Sequence, residues 1–223
     1  MTDYFEKAFA AGPVMGIFRG YDPERTVAAC HRAWDLGIDL VEVPVHVPSA
    51  LPSLRAAIAA GRERGRSVGA GTVTTVEQVE EVAREGAAFT VAPGLLPEVV
   101  EACAERDLPH LPGVATATEV SRARALGLTW LKAFPAAQLG PGWITAQLGP
   151  FPWARFVATG GLDAHNAPAF LAAGCHGFAV GSALDDPEQL PLLAQLMPGG
   201  HGRSPSRSPS ADRPTSRSAG QRQ

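Results

Sequence analysis

Lysine is almost missing from this 223-residue chain: of 19 basic residues, 17 are arginine and only Lys7 and Lys132 are lysine. Where positive charge alone is wanted, the chain uses arginine, which stays protonated; a lysine can lose its proton and act as a nucleophile. Cysteine is scarce and odd in number, at positions 30, 103 and 175, with no CxxC or Cys/His ligand spacing. That pattern indicates neither a disulfide framework nor a zinc site. No stretch approaches the roughly 20 apolar residues of a membrane span, and no basic segment followed by a long apolar run stands at the start. A soluble cytoplasmic protein with no membrane partner is the expectation. The formal charge is -3, but His201–Gln223 holds five arginines and one aspartate, a net of +4, which leaves -7 for the remainder. An acidic body argues against a nucleic-acid partner.

What is present suits one large domain or two small ones, with 45% apolar and 18% charged residues. Residues 199–223, rich in Arg, Ser and Pro, cannot bury enough apolar surface to offset chain entropy and read as a disordered tail. Residues 1–198 alternate short apolar runs with helix-like segments. The runs are Val14–Phe18, Leu40–Val45, Ser67–Gly71, Ala88–Ala92, His110–Val114, Thr129–Phe134, Phe156–Thr159 and Gly177–Val180. Glycines 37, 61, 86, 127 and 174 mark helix ends between them. Eight strand-then-helix units predict a parallel (β/α)8 TIM barrel. An open doubly wound sheet is the alternative, but no GxGxxG follows the first run.

Barrel enzymes carry their chemistry at the C-terminal ends of the strands. There the sequence places Arg19, Glu42 with His46 just beyond, Gly71-Thr72, Pro93, Lys132, Thr159-Gly160-Gly161 and Gly181-Ser182. Strand alternation puts Val41, Val43 and Val45 toward the helices and Glu42 into the lumen; Leu131 and Ala133 face outward while Lys132 points inward with Trp130. One lysine and one glutamate then share a lumen. The plain structural reading is a space-filling buried ion pair, which desolvation makes a weak source of stability. The chemical reading is that a desolvated lysine attacks a ketone to form a Schiff base, while the carboxylate shuttles protons. Gly160, Gly161, Gly181 and Ser182, after the seventh and eighth runs, match the common phosphate site of barrels.

The chain resembles the class I aldolases that cleave 2-keto-3-deoxy-6-phosphogluconate, its galactonate epimer or 4-hydroxy-2-oxoglutarate. The matching pieces are Gly16–Gly20 (GIFRG), Val41–Pro44 (VEVP), Gly69–Val73 (GAGTV), Ala92–Gly94 (APG), Leu111–Val114 (LPGV), Leu131–Pro135 (LKAFP), Gly149–Pro152 (GPFP), Ala158–Gly161 (ATGG) and Val180–Leu184 (VGSAL). The resemblance implies that Lys132 forms the Schiff base and that Glu42 is the general acid/base, working through a bound water. Arg19, Thr72 and the backbone near Gly71 would hold the pyruvate carboxylate. Pro93 and Phe134 would line the pyruvate pocket, Thr159 would contact a substrate hydroxyl, and Gly160, Gly161, Gly181 and Ser182 would bind the distal phosphate. It implies a small-molecule 2-keto acid substrate, a homotrimer, no metal and no cofactor.

Two features depart from a single family pattern. His46 stands where some members carry arginine or threonine, and either a substrate contact or a strand cap fits it. Val41–Pro44 and Leu139–Trp143 look like galactonate-type enzymes, whereas Thr159 before Gly160-Gly161 looks like the gluconate type, so the C4 epimer stays open. Two other readings stand beside the aldolase: a phosphate-binding barrel isomerase with no covalent step, and a non-catalytic barrel with a binding tail. His31, His165 and His176 lack ligand spacing; Cys30, Cys103 and Cys175 suit helix packing, and Trp34, Trp143 and Trp153 suit core or interface positions.

Overall fold

The computed structural model describes residues 2–198; the segment expected to be a disordered tail lies outside the described residues. Among them, strand segments run as β1 (Val14–Ile17), β2 (Leu40–Pro44), β3 (Val68–Gly71), β4 (Thr90–Val91), β5 (His110–Leu111), β6 (Gly113–Val114), β7 (Trp130–Ala133), β8 (Arg155–Thr159) and β9 (Gly177–Val180). The strands pair in parallel in the order β5-β4-β3-β2-β1-β9-β8-β7-β6. The two ends of that order, β5 and β6, are halves of one stretch split at Pro112, which has no N–H for a ladder. Its carbonyl accepts the Lys132 N–H at 2.8 Å. The eight predicted strands therefore close on themselves as a (β/α)8 TIM barrel.

The outer layer comprises α2 (Pro23–Asp35), α3 (Leu51–Glu63), α4 (Val76–Glu85), α5 (Pro97–Ala104), α6 (Ala117–Ala125), α7 (Ala136–Leu139), α8 (Pro141–Leu148), α9 (Ala167–Ala172) and α10 (Leu190–Gln195), with α1 (Thr2–Ala10) preceding β1. Local chemistry sets their ends. The Asp22 side chain accepts the Arg25 N–H at 2.8 Å to start α2, and Thr116 and Glu119 form a reciprocal capping box on α6. Gly86, at φ 89°, ends α4 in the left-handed region that favours glycine.

Strand parity divides the core in two. Val41, Val43, Leu131 and Ala133 belong to the apolar layer between staves and helices. Met15, Leu40, Phe89, Val91, Leu111, Trp130, Val157 and Ala179 fill the lumen, joined by Phe5 and Phe9. Those two phenylalanines come from α1, a helix the periodicity reading does not anticipate. Phe9 stacks on Trp130 (5.2 Å between centroids, 12° between planes), and Phe5 meets Phe89 edge-on at 5.8 Å. Trp130 and Leu40 begin their strands, so α1 plugs the N-terminal end of the barrel.

Cys30 and Cys103 are buried on α2 and α5; Cys175 is buried too, but between α9 and β9. His110, not singled out by sequence, is buried with Nδ1 2.8 Å from the Thr90 hydroxyl, and burial pushes its pKa down to about 4. No helix among the described residues is long and apolar enough to cross a membrane.

Candidate active site

Lys132 is the third residue of β7 and Glu42 the third of β2, both pointing into the lumen above the aromatic layer; they are 4% and 1% exposed. Their strand neighbours are small or apolar: Lys132 registers with Gly113 and Val157, and Glu42 with Ile17 and Gly69. Gly71 makes the room for the carboxyl, since a Cβ there would stand 1.3 Å from Glu42 Oε2. That oxygen is buried and has no hydrogen-bond partner in the protein.

Burial governs both charges. It raises the Glu42 carboxyl from its usual 4.5 to about 7, against the opposing pull of Lys132 and Arg19. It lowers the Lys132 amine, helped by Arg19 and opposed by Glu42. Each group loses its charge more readily than in water, so an amine eased toward its neutral form and a carboxyl able to exchange protons near neutrality stand in one site. The Lys132 Nζ also lies 4.8 Å from the centroid of the Phe134 ring.

These residues open onto a cavity of about 740 Å³. Its wall includes Arg19, Thr72, Pro93, Lys132, Phe134, Thr159, Gly160, Gly161, Gly181 and Ser182, ten of the thirteen residues nominated from sequence. Glu42 and Gly71 are not part of that wall and lie against each other. His46 does not join them: it is exposed, beyond the end of β2, and lines no part of the cavity.

Backbone geometry explains several positions. Thr72 holds a left-handed φ of 58°, uncommon for a β-branched residue. In that conformation its hydroxyl accepts from Arg19 Nη2 at 3.0 Å. Gly113 lets the Pro93 turn close in, because a Cβ would stand 2.1 Å from the Pro93 carbonyl oxygen. Gly160 and Gly161 both have positive φ, 98° and 71°. Thr159 Oγ1 is buried without a protein partner, beside a wall to which its residue contributes.

Sequence reasoning missed Tyr21, which also lines the cavity. Its hydroxyl donates to Asp185, a carboxylate that also accepts from Arg25 and Arg32. Tyr21 and Asp185 are 164 positions apart, and no local spacing links them. Among the described residues no group of three or more His, Cys, Asp or Glu side chains is placed to hold a metal ion.

The model of the family described as KDPG and KHG aldolase matches residues 6–191. A probable 2-dehydro-3-deoxy-6-phosphogalactonate aldolase of Rhizobium meliloti (strain 1021) is 35% identical over 78% of this chain and 82% of its own length. The 2-dehydro-3-deoxy-6-phosphogalactonate aldolase of Escherichia coli (strain K12) is 35% identical over 77% of this chain and 84% of its own. Among solved structures, a KDPG aldolase from Legionella pneumophila, with pyruvate captured at low pH as a covalent carbinolamine intermediate, is similar with a TM-score of 0.74. It is 29% identical, over 85% of this chain and 94% of that one.

Proposed function

The chain belongs to the KDPG and KHG aldolase family, and from that premise we propose that it is a Schiff-base carbon–carbon lyase. Its substrate is a 2-keto-3-deoxy-6-phospho sugar acid of the gluconate or galactonate type, cleaved to pyruvate and glyceraldehyde 3-phosphate. 4-Hydroxy-2-oxoglutarate, cleaved to pyruvate and glyoxylate, is a second substrate of the same site. The observation that carries this reading is the desolvated Lys132 amine beside a Glu42 carboxyl raised to about 7, at the inner end of a cavity large enough for a sugar acid.

In this reading the neutral Lys132 amine adds to the C2 ketone, giving a carbinolamine. Loss of water, with Glu42 supplying and taking protons, gives the protonated imine. A base takes the C4 hydroxyl proton, the C3–C4 bond breaks, its electrons move into the imine, and the aldehyde departs. The enamine left behind takes a proton at C3, and water releases pyruvate and the free amine. Arg19, Thr72 and the backbone at Gly71 hold the carboxylate; Pro93 and Phe134 flank the three-carbon unit. Thr159 takes a substrate hydroxyl, and the turns at Gly160-Gly161 and Gly181-Ser182 take the distal phosphate. The exposure of His46 supports a strand-end role over substrate contact.

The protein acts as a homotrimer in the cytoplasm, with the barrel of residues 1–198 carrying the chemistry and residues 199–223 dispensable for it. An oligomer is supported by the likeness to a cube-shaped cage designed by fusing symmetric oligomeric domains: 30% identity, TM-score 0.76, over 82% of this chain and 71% of that one. Incubation with pyruvate and borohydride tests the chemistry. Mass spectrometry should find a reduced pyruvate adduct on Lys132 and none in Lys132→Arg. A folded protein left unmodified would favour the non-covalent isomerase reading instead.

A further inference from the structure

The loop joining β1 to α2 supplies two residues of the cavity wall, Arg19 and Tyr21. Arg19 donates to Thr72. Gly20 turns the chain between them at φ 74°. Two residues beyond Arg19, Tyr21 lines the wall and donates its hydroxyl to Asp185. The loop itself is anchored, because the Tyr21 carbonyl accepts the hydroxyl of the buried Ser53 on α3 at 2.7 Å.

Asp185 is the first residue after the 3-10 turn Ser182–Leu184, and its N–H donates to the Ser182 carbonyl at 3.0 Å. Its carboxylate also accepts from Arg25 Nη2 at 2.9 Å and Arg32 Nη2 at 2.8 Å, both on α2. The Arg25 guanidinium lies 3.9 Å over the Tyr21 ring. A carboxylate three positions from a turn that takes an anion would repel that anion if left alone. Here two guanidiniums and a phenol engage it. One carboxylate thus receives three donors from the anchored loop and its helix, all next to Ser182.

We propose that Asp185 is a positioning residue: held by Tyr21, Arg25 and Arg32, it fixes the Gly181-Ser182 turn against the anchored β1–α2 loop and so sets the preference for substrates with a distal phosphate. This rests on the aldolase reading of the site, and the experiment separates the two. Asp185→Ala is compared with the unaltered protein on the phosphorylated sugar acid and on the same sugar acid lacking phosphate. The expected result is a KM raised about tenfold for the phosphorylated substrate alone, the size of one charge-assisted hydrogen bond, with kcat held within about twofold. A purely electrostatic role moves KM the other way, since removing an anion beside an anion site tightens binding. A general structural role lowers kcat/KM on both substrates alike. Either outcome, or an unchanged ratio between the substrates, overturns the proposal.

Borohydride trapping of pyruvate on Lys132 in the same variant reports on the aldolase reading independently. Should Asp185→Ala fail to fold, Arg32→Gln carries the test. Arg32 lies outside the cavity wall, with its side chain 42% exposed. Its KM rise should again fall on the phosphorylated substrate alone and persist at high salt, where a long-range charge effect is screened; a rise that salt abolishes, or one shared by both substrates, overturns the proposal.

Discussion

Replacing Gly71 with alanine puts a methyl group where the Glu42 carboxyl now sits. The new Cβ would lie 1.3 Å from Oε2, 2.3 Å from Cδ and 2.7 Å from Oε1, whereas real Cβ contacts stay above 3.0 Å. The backbone at Gly71 is not left-handed, so alanine suffers no conformational penalty and the clash alone must be relieved. Glu42 has to withdraw by about 1.7 Å, the shortfall of its closest contact, into a lumen closed below by Phe89 and Trp130. A displacement near 1 Å in a catalytic group costs about 100-fold in rate, or about 2.7 kcal/mol of barrier. Overpacking adds about 1–3 kcal/mol of lost stability. Gly71→Ala should therefore lose about two orders of magnitude in kcat, read by coupling pyruvate release to lactate dehydrogenase. The control is Gly69→Ala, whose Cβ would meet the Phe89 ring at 2.4 Å on the same strand, and not the Glu42 carboxyl. It should lose comparable stability and keep kcat within about threefold. Equal kcat losses in the two variants, or a Gly71→Ala enzyme of near-normal rate, would refute the reasoning.

Other predictions follow from the same geometry. With Glu42 raised to about 7, kcat/KM should climb with pH through a limb near neutrality as the carboxylate forms, and the limb should vanish in Glu42→Gln. Stability should show the converse sign. The folded protein keeps the Glu42 proton that the unfolded chain loses above its usual 4.5, so stability falls as pH rises from 4.5 to about 7. His110, held neutral down to about 4, does the opposite: the unfolded histidine protonates below 6.5 and stability falls as pH drops. Glu42→Gln should thus be more stable than the parent above pH 7, by up to about 3 kcal/mol, and should show an unmasked loss between 6.5 and 4. Urea melts at pH 5, 6 and 8 measure this, and parallel profiles for the two proteins would contradict it. Phe9→Ala should cost about 3 kcal/mol of unfolding free energy and leave KM unchanged, because Phe9 packs at the end of the barrel away from the cavity; a raised KM would count against that separation.

The strands and the inward pair were legible because both rest on a period of two. Val41 and Val43 alternate with Glu42, and Leu131 and Ala133 with Lys132, so parity alone assigns the faces. Helix α1 left a trace in Phe5 and Phe9, four apart, yet a nine-residue segment with no marked start reads poorly against the stronger strand signals. The split at Pro112 follows from proline chemistry and could have been read. The part played by Gly71 could not, since it depends on a side chain from the neighbouring strand. The Tyr21–Asp185 contact is equally silent in sequence, being a product of β1 and β9 becoming neighbours when the barrel closes. His46, four positions from Glu42 in sequence, lies beyond the strand that aims Glu42 inward, a difference that spacing alone does not reveal.

The aromatic plug from α1 has a consequence for the chronology of turnover. A lumen stoppered at one end is a cul-de-sac, so whatever goes in must come out by the same mouth. On the proposed chemistry the substrate goes in keto group first, and cleavage divides it into an inner fragment tethered to Lys132 and an outer one near the rim. That chemistry then has the aldehyde leave first and pyruvate last. In the condensing direction pyruvate must load first, which makes the reverse reaction one of compulsory order.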